Sequence, residues 1–98
     1  MIIYLIMKSA AKFFVKGSVQ GVFYRKFCQD NADKMKLTGY VRNLEGGDVE
    51  VYVQGEKKSI DEFEVLLKKG PSHAQIRSVL REDKKWGDEF KEFKILRF

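Results

Sequence analysis

The sequence predicts an α+β sandwich in the element order βαββαβ, with a short extra strand at the C-terminus. Three observations carry that prediction. Period-two and helical hydrophobic patterns follow one another in that order along the chain. Glycine-containing turns separate them at Gly17–Gly21, Gly46–Gly47 and Gly70-Pro71. Ninety-eight residues at 44% hydrophobic content suffice for one core and not for two. The chain is therefore read as one domain over residues 1–98, with residues 1–7 as a possible N-terminal extension.

Ala11-Lys12-Phe13-Phe14-Val15-Lys16 opens the pattern as a strand with Ala11, Phe13 and Val15 on one face. Tyr24, Phe27, Cys28, Ala32 and Met35 then form one stripe of an amphipathic helix over about Phe23 to Met35. Leu37 to Leu44 reads as a second strand. Gly46-Gly47 turns the chain into Val49, Val51 and Val53, a period-two strand that Gly55 is expected to end. Ile60, Phe63, Leu66 and Leu67 mark a second helix. Its start is either a capping box at Ser59-x-x-Glu62 or, earlier, Glu56. Gly70-Pro71 stops it. Gln75 to Arg81 and Phe90 to Phe98 are two further strands, joined by the charged stretch Glu82 to Glu89.

That order is the split βαβ, ferredoxin-like plan, an antiparallel sheet with two helices on one face. Right-handed crossovers make the first two strands parallel, with the third between them. Two loops then fall at the same end of the sheet. One leaves strand one, and the other follows Asn43 at the end of strand two. Their backbones are expected two strand spacings apart, on the order of 10 Å, room for an anion the size of phosphate.

The first loop, Gly17-Ser18-Val19-Gln20-Gly21-Val22-Phe23-Tyr24-Arg25, has the makings of an anion cradle. Glycine permits backbone conformations closed to other residues, so a compact loop can aim several N–H groups at one point. The helix that follows adds unpaired N–H groups and the positive end of its dipole. Arg25, in the first helical turn, can grip a phosphate through two parallel bonds. The loop is neither a Walker motif nor a G-x-G-x-x-G fingerprint, and glycines in a strand-to-helix turn are common where nothing binds. The second loop adds the discriminating information: Gly39-Tyr40-Val41-Arg42-Asn43-Leu44-Glu45-Gly46-Gly47-Asp48-Val49, with Gly55 beyond. Together the two segments resemble the acylphosphatase signatures G-x-V-Q-G-V-x-[FY]-R and G-[FYW]-[AVC]-x-N-x-x-x-G-x-V-x5-G. Every fixed position of both is filled, and the resemblance runs over about residues 8 to 98.

The residue types limit the chemistry independently. A guanidinium is no base, and the Asn43 amide does not titrate but can accept from a water proton. Neither segment has a His, Asp or Glu at a position that would give a general acid, and no ligand set for Mg²⁺ or Zn²⁺ appears. Such a site suits a leaving group that departs without a proton, as a carboxylate does from a carboxylic-phosphoric anhydride. The resemblance implies the same activity, a hydrolase of acid anhydrides that cleaves acyl phosphates to carboxylate and phosphate, without cofactor, metal or phosphoenzyme. It implies Arg25 and Asn43 as catalytic residues and Ser18, Val19, Gln20, Gly21, Val22, Phe23, Tyr24 and Arg25 as the phosphate-binding loop. Gln20 is expected to shape that loop rather than act. Cys28, on the apolar helical stripe, reads as core rather than nucleophile. His73 reads as a surface residue beside a helix end, and Trp86 fits either packing or an exposed patch.

The net charge of +5 is uneven: residues 8–44 carry eight Lys/Arg against two Asp, a positive field around the cradle. A pI of about 9.4 would also suit an RNA-binding module of this topology. Such modules stack bases on aromatics of the central strands, and strand three offers Tyr52 alone. A phosphate- or carbamoyl-phosphate-binding module, as similar domains form inside larger maturation proteins, is the nearer alternative. The expected partner is a small acyl phosphate, with no nucleic acid and no membrane. One cysteine excludes an intramolecular disulfide framework and suggests a cytoplasmic setting. Met1 to Met7 is apolar but far short of the roughly 20 residues of a membrane span. A monomer is expected, with that segment available for an edge strand or for self-association.

Overall fold

A computed structural model describes residues 7–21 and 23–97. Its elements are β1 (Lys8–Ser18), α1 (Tyr24–Lys34), β2 (Thr38–Asn43), β3 (Val49–Glu56), α2 (Lys57–Lys69), β4 (Gln75–Lys84) and β5 (Phe93–Leu96). The sheet order is β4-β1-β3-β2-β5. β3 pairs antiparallel with both β1 and β2, so those two strands run parallel on either side of it, as the crossover rule requires. β5 adds to β2 in parallel, which makes the five-stranded sheet mixed. Of the apolar segment over residues 1–7, expected to serve as an edge strand or in self-association, residues 1–6 lie outside the described residues, as does Phe98 at the end of the expected last strand.

Alternation along the strands builds the core. Phe13, Val15, Val41, Val49, Val51 and Val53 point to the helix side and are fully buried. Tyr24, Cys28 and Ala32 of α1 meet them from above β2 and β5, and Ile60, Phe63 and Leu67 of α2 from above β1, β3 and β4. The helical stripes read from sequence are largely the buried faces, with Phe27 and Met35 packed at the margin and Leu66 half-buried outside the core cluster. Arg81 ties the outer strand to the helix layer, its Nη1 donating to Asp61 and Glu64 at 2.9 and 2.7 Å.

Two element boundaries are decided by the structure. Of the two expected starts of α2 the earlier holds: the helix begins at Lys57 with Glu56 at its N-cap and no side-chain cap, so Ser59 lies inside it and the Ser59-x-x-Glu62 box does not form. Glu62 instead pairs with Lys58 at 2.8 Å. Gly55 does not end β3, which continues to Glu56. β3 is buried on both sides: Glu50, Tyr52 and Gln54, on the side away from the helices, are 5, 9 and 2% exposed. The reason is tertiary. Tyr52 stacks on Tyr40 with ring centroids 5.7 Å apart, and Phe90, from the connection that must carry the chain from edge strand β4 to edge strand β5, packs on both. These rings are occupied with one another, which leaves little free face for base stacking. Trp86, on the same connection, is 44% exposed with Lys8 Nζ 5.7 Å from its ring centroid, a surface cation–π contact.

Candidate active site

The two signature loops meet at one end of the sheet. Gly17 still belongs to β1, at a register shift between Lys16 and Gly17. A Cβ there would stand 2.0 Å from the Gln75 carbonyl oxygen, so this glycine admits β4 rather than turning the loop. The turn is made by Gly21, at φ 76°. Phe23 follows at φ 60° and ψ 23°, a left-handed conformation unusual for a residue with a side chain, and occupies the N-cap of α1. That helix has no side-chain cap and no acidic residue in its first turn. Its first N–H groups therefore have neither an internal nor a side-chain partner, which leaves the positive end of the dipole available to an anion.

Gln20 locks the two loops together. Its Nε2 donates to the carbonyls of Leu44 and Asp48 at 3.0 and 2.9 Å, across the mouth of the β2–β3 hairpin. A Lys16–Asp48 ion pair at 3.4 Å lies alongside. The hairpin is closed by its own backbone, Leu44 N donating to Asp48 O at 2.8 Å. Its Gly46–Gly47 turn receives no hydrogen bond from Asn43 among the described residues. Asn43 Oδ1 is instead buried with no hydrogen-bond partner among them. Among the described residues the side chain is thus not engaged in the turn, and its oxygen is open to a bond from outside the chain.

Arg25 joins Asn43 around a cleft of about 320 Å³ that Leu96 and Arg97 complete. Arg25 Nη1 donates to the Leu96 carbonyl at 3.4 Å, so the last strand holds the guanidinium in place. A second, larger cavity of about 460 Å³ shares Arg25 and Arg97 and is walled by Val19, Gly21, Phe23, Tyr24, Lys26 and Ile95. Lys26, Ile95, Leu96 and Arg97 line these clefts and were not among the residues expected from the sequence. Only the parallel addition of β5, with Leu96 opposite Arg42, carries Arg97 to the level of Asn43. A basic residue just past the end of a terminal strand is the one trace of this in the sequence.

The other expected loop residues divide. Val19 and Tyr24 are 1% exposed, and the Tyr24 hydroxyl donates to the Leu67 carbonyl at 3.0 Å, so both side chains belong to the core. Burial, with nearby Cys28, pushes the Tyr24 phenol well above its ordinary range. Ser18 ends β1 opposite Gln75 and lines a separate cleft with Gln75, Ile76 and Arg77. Val22 lies outside the described residues. Cys28 is fully buried and its thiol is pushed up by burial, which fits packing and not nucleophilic attack. His73 is exposed on the turn between α2 and β4. Among the described residues no group of three His, Cys, Asp or Glu gathers as a metal site, and no helix is long and apolar enough to cross a membrane.

Comparison with known proteins places this arrangement. The acylphosphatase family model matches residues 11–95. An acylphosphatase of Vibrio parahaemolyticus is 46% identical over 85 residues, 87% of this chain and 93% of the relative. A solved acylphosphatase from Coxiella burnetii superposes with a TM-score of 0.86 at 35% identity, covering 91% of this chain and 93% of that one. The crystal structure of an acylphosphatase from Bacillus subtilis gives a TM-score of 0.87 at 30% identity, over 90% and 98% of the two chains. Matched along nearly its whole folded length in sequence and in structure, with both signature loops at one end of the sheet, the chain belongs to the acylphosphatase family.

Proposed function

We propose that the protein hydrolyses acyl phosphates with Arg25 and the loop amides as the phosphoryl-binding groups and Asn43 as the residue that positions the attacking water. The observation that carries this reading is the unpartnered, buried Oδ1 of Asn43 in the same cleft as Arg25. An amide oxygen there can accept from a water and aim its lone pair at phosphorus. The uncapped N-terminus of α1 and the Arg25 guanidinium supply the positive environment that the equatorial phosphoryl oxygens require in the transition state. Water adds to phosphorus, the bond to the acyl oxygen breaks, and the carboxylate leaves with the electron pair. The water proton passes to a phosphate oxygen, and no general acid is required. The single Cys28, held as a buried thiol, suits a reducing, cytoplasmic setting.

The test is substrate discrimination. Purified protein in EDTA is expected to hydrolyse acetyl phosphate while leaving an alkyl phosphate monoester essentially untouched. Comparable rates on the two, or activity lost on chelation, would overturn the mechanism.

A further inference from the structure

The sheet face away from the helices carries a further cavity of about 460 Å³ that shares no residue with the Arg25–Asn43 cleft. Its volume lies in the range of small-molecule pockets. The floor is the packed group of Tyr40, Tyr52 and Phe90, and the rim carries three lysines, Lys12, Lys84 and Lys85, against one carboxylate, Glu89. The tyrosine hydroxyls are engaged, Tyr40 with Glu50 and Tyr52 with Gln54, so the floor presents ring carbon. Lys12 stands out on the rim. It is half-buried on β1, an interior strand, between Tyr52 of β3 and Glu82 of β4. Yet Glu82 lies 3.4 Å from Lys84, and Glu50 is held by Tyr40 and Arg42. Lys12 and Lys85 form no ion pair among the described residues.

Three ammonium groups around one cavity repel one another, and a single carboxylate leaves a surplus of two positive charges. An anion between them relieves that repulsion. The apolar floor keeps water off one side, which strengthens the attraction relative to an open surface. An ammonium is a compact point charge with three donors, suited to oxygen-rich anions of any orientation. The rings below pack on one another and offer no free face to a base, so recognition here is by charge. The lysines also come from three places: β1, the end of β4 and the connection beyond it. A chain of linked phosphates meets all three better than one phosphate does. We infer that this cavity is a second anion site, for a polyphosphate group held by Lys12, Lys84 and Lys85. The inference is independent of the acyl phosphate hydrolysis proposed above.

The experiment measures binding of inorganic triphosphate by calorimetry, without divalent cations and with orthophosphate present to fill the Arg25 cleft. The unmodified protein is expected to bind triphosphate saturably. Lys84→Gln/Lys85→Gln should weaken that binding about tenfold, the scale of two partly exposed ion pairs. Lys12→Gln should weaken it as well, with melting curves to establish that each variant is folded. Acetyl phosphate turnover should be the same in Lys84→Gln/Lys85→Gln as in the unmodified protein. Lys91→Gln/Lys94→Gln removes two charges from exposed side chains that do not line the cavity, so there the affinity should hold within about twofold. ATP should bind as inorganic triphosphate does, because its base finds no ring to stack on. Absence of saturable triphosphate binding, equal weakening in the two double variants, or binding of ATP alone would overturn the site.

Discussion

Glu50 and Asn43 sit on the two strands of one hairpin, face opposite sides of the sheet, and are treated in opposite ways. The Glu50 carboxylate is fully engaged: it accepts from the Tyr40 hydroxyl and, at 3.2 Å, from Arg42, while Gln54 nearby donates to the Tyr52 hydroxyl at 3.1 Å. One atom of that network, Arg42 Nε, is left over, on a side chain that is 36% exposed. Burial alone would raise the Glu50 carboxyl, but the bonds from Tyr40 and Arg42 hold it below its ordinary value. On the helix side, Asn43 Oδ1 has no partner and Arg25 has one long bond to a carbonyl. The difference separates two uses of buried polarity. A group satisfied from within contributes to stability, and one without an internal partner is open to a bond from outside the chain.

Substitutions at the two ends should therefore behave as opposites. The largest expected effect is at Arg25. Arg25→Ala should lower kcat/KM on an acyl phosphate by about 10²-fold or more and weaken inhibition by inorganic phosphate, with the melting temperature nearly unchanged. Arg25→Lys should not recover it, since an ammonium lacks the planar fork; near-normal turnover in that variant would show that a point charge suffices.

Asn43→Ala comes next. Turnover should fall by about 10² with phosphate affinity almost intact, and the melting temperature should hold, because no internal hydrogen bond is lost. Asn43→Asp keeps the shape but sets a carboxylate beside an anion, so phosphate inhibition should weaken as well. An Ala variant that melts early while its folded fraction turns over normally would place Asn43 with Glu50 instead.

Glu50→Gln tests the satisfied end. It should cost about 1–2 kcal/mol in stability while kcat/KM on folded protein stays close to that of the unmodified chain. The pH dependence follows from the lowered carboxyl. Its contribution is complete above the ordinary carboxylate range and is lost as pH falls through the lower folded value, below about pH 4. Thermal melts between pH 7 and 3 should therefore drop more steeply for the unmodified protein than for Glu50→Gln, and parallel curves would remove Glu50 from the acid limb.

The smallest effect sharpens the boundary between the two classes. Tyr24 adjoins Arg25 in sequence and borders the larger cavity, yet its hydroxyl bonds the Leu67 carbonyl. Tyr24→Phe should thus behave like the Glu50 variant, losing about 1 kcal/mol in denaturant melts with kinetics nearly preserved. A selective loss of turnover would show the hydroxyl acting toward the site.

The sequence by itself determined the element order, the faces of both helices and the meeting of Arg25 and Asn43 at one end of the sheet. These follow from local periodicity and from the handedness of crossovers, which hold wherever the chain is read. Tertiary structure decided what no local pattern encodes. Gly17 looks like a turn residue and proves to be a contact residue, because a strand almost sixty positions later passes over its α-carbon. β3 alternates valine with polar or aromatic residues and is still buried on both sides, because Phe90 arrives from the β4–β5 connection. Arg97 reaches the site only because β5 pairs in parallel with β2. Each of these depends on a partner distant along the chain, and hydrophobic spacing carries no information about which distant residue will arrive.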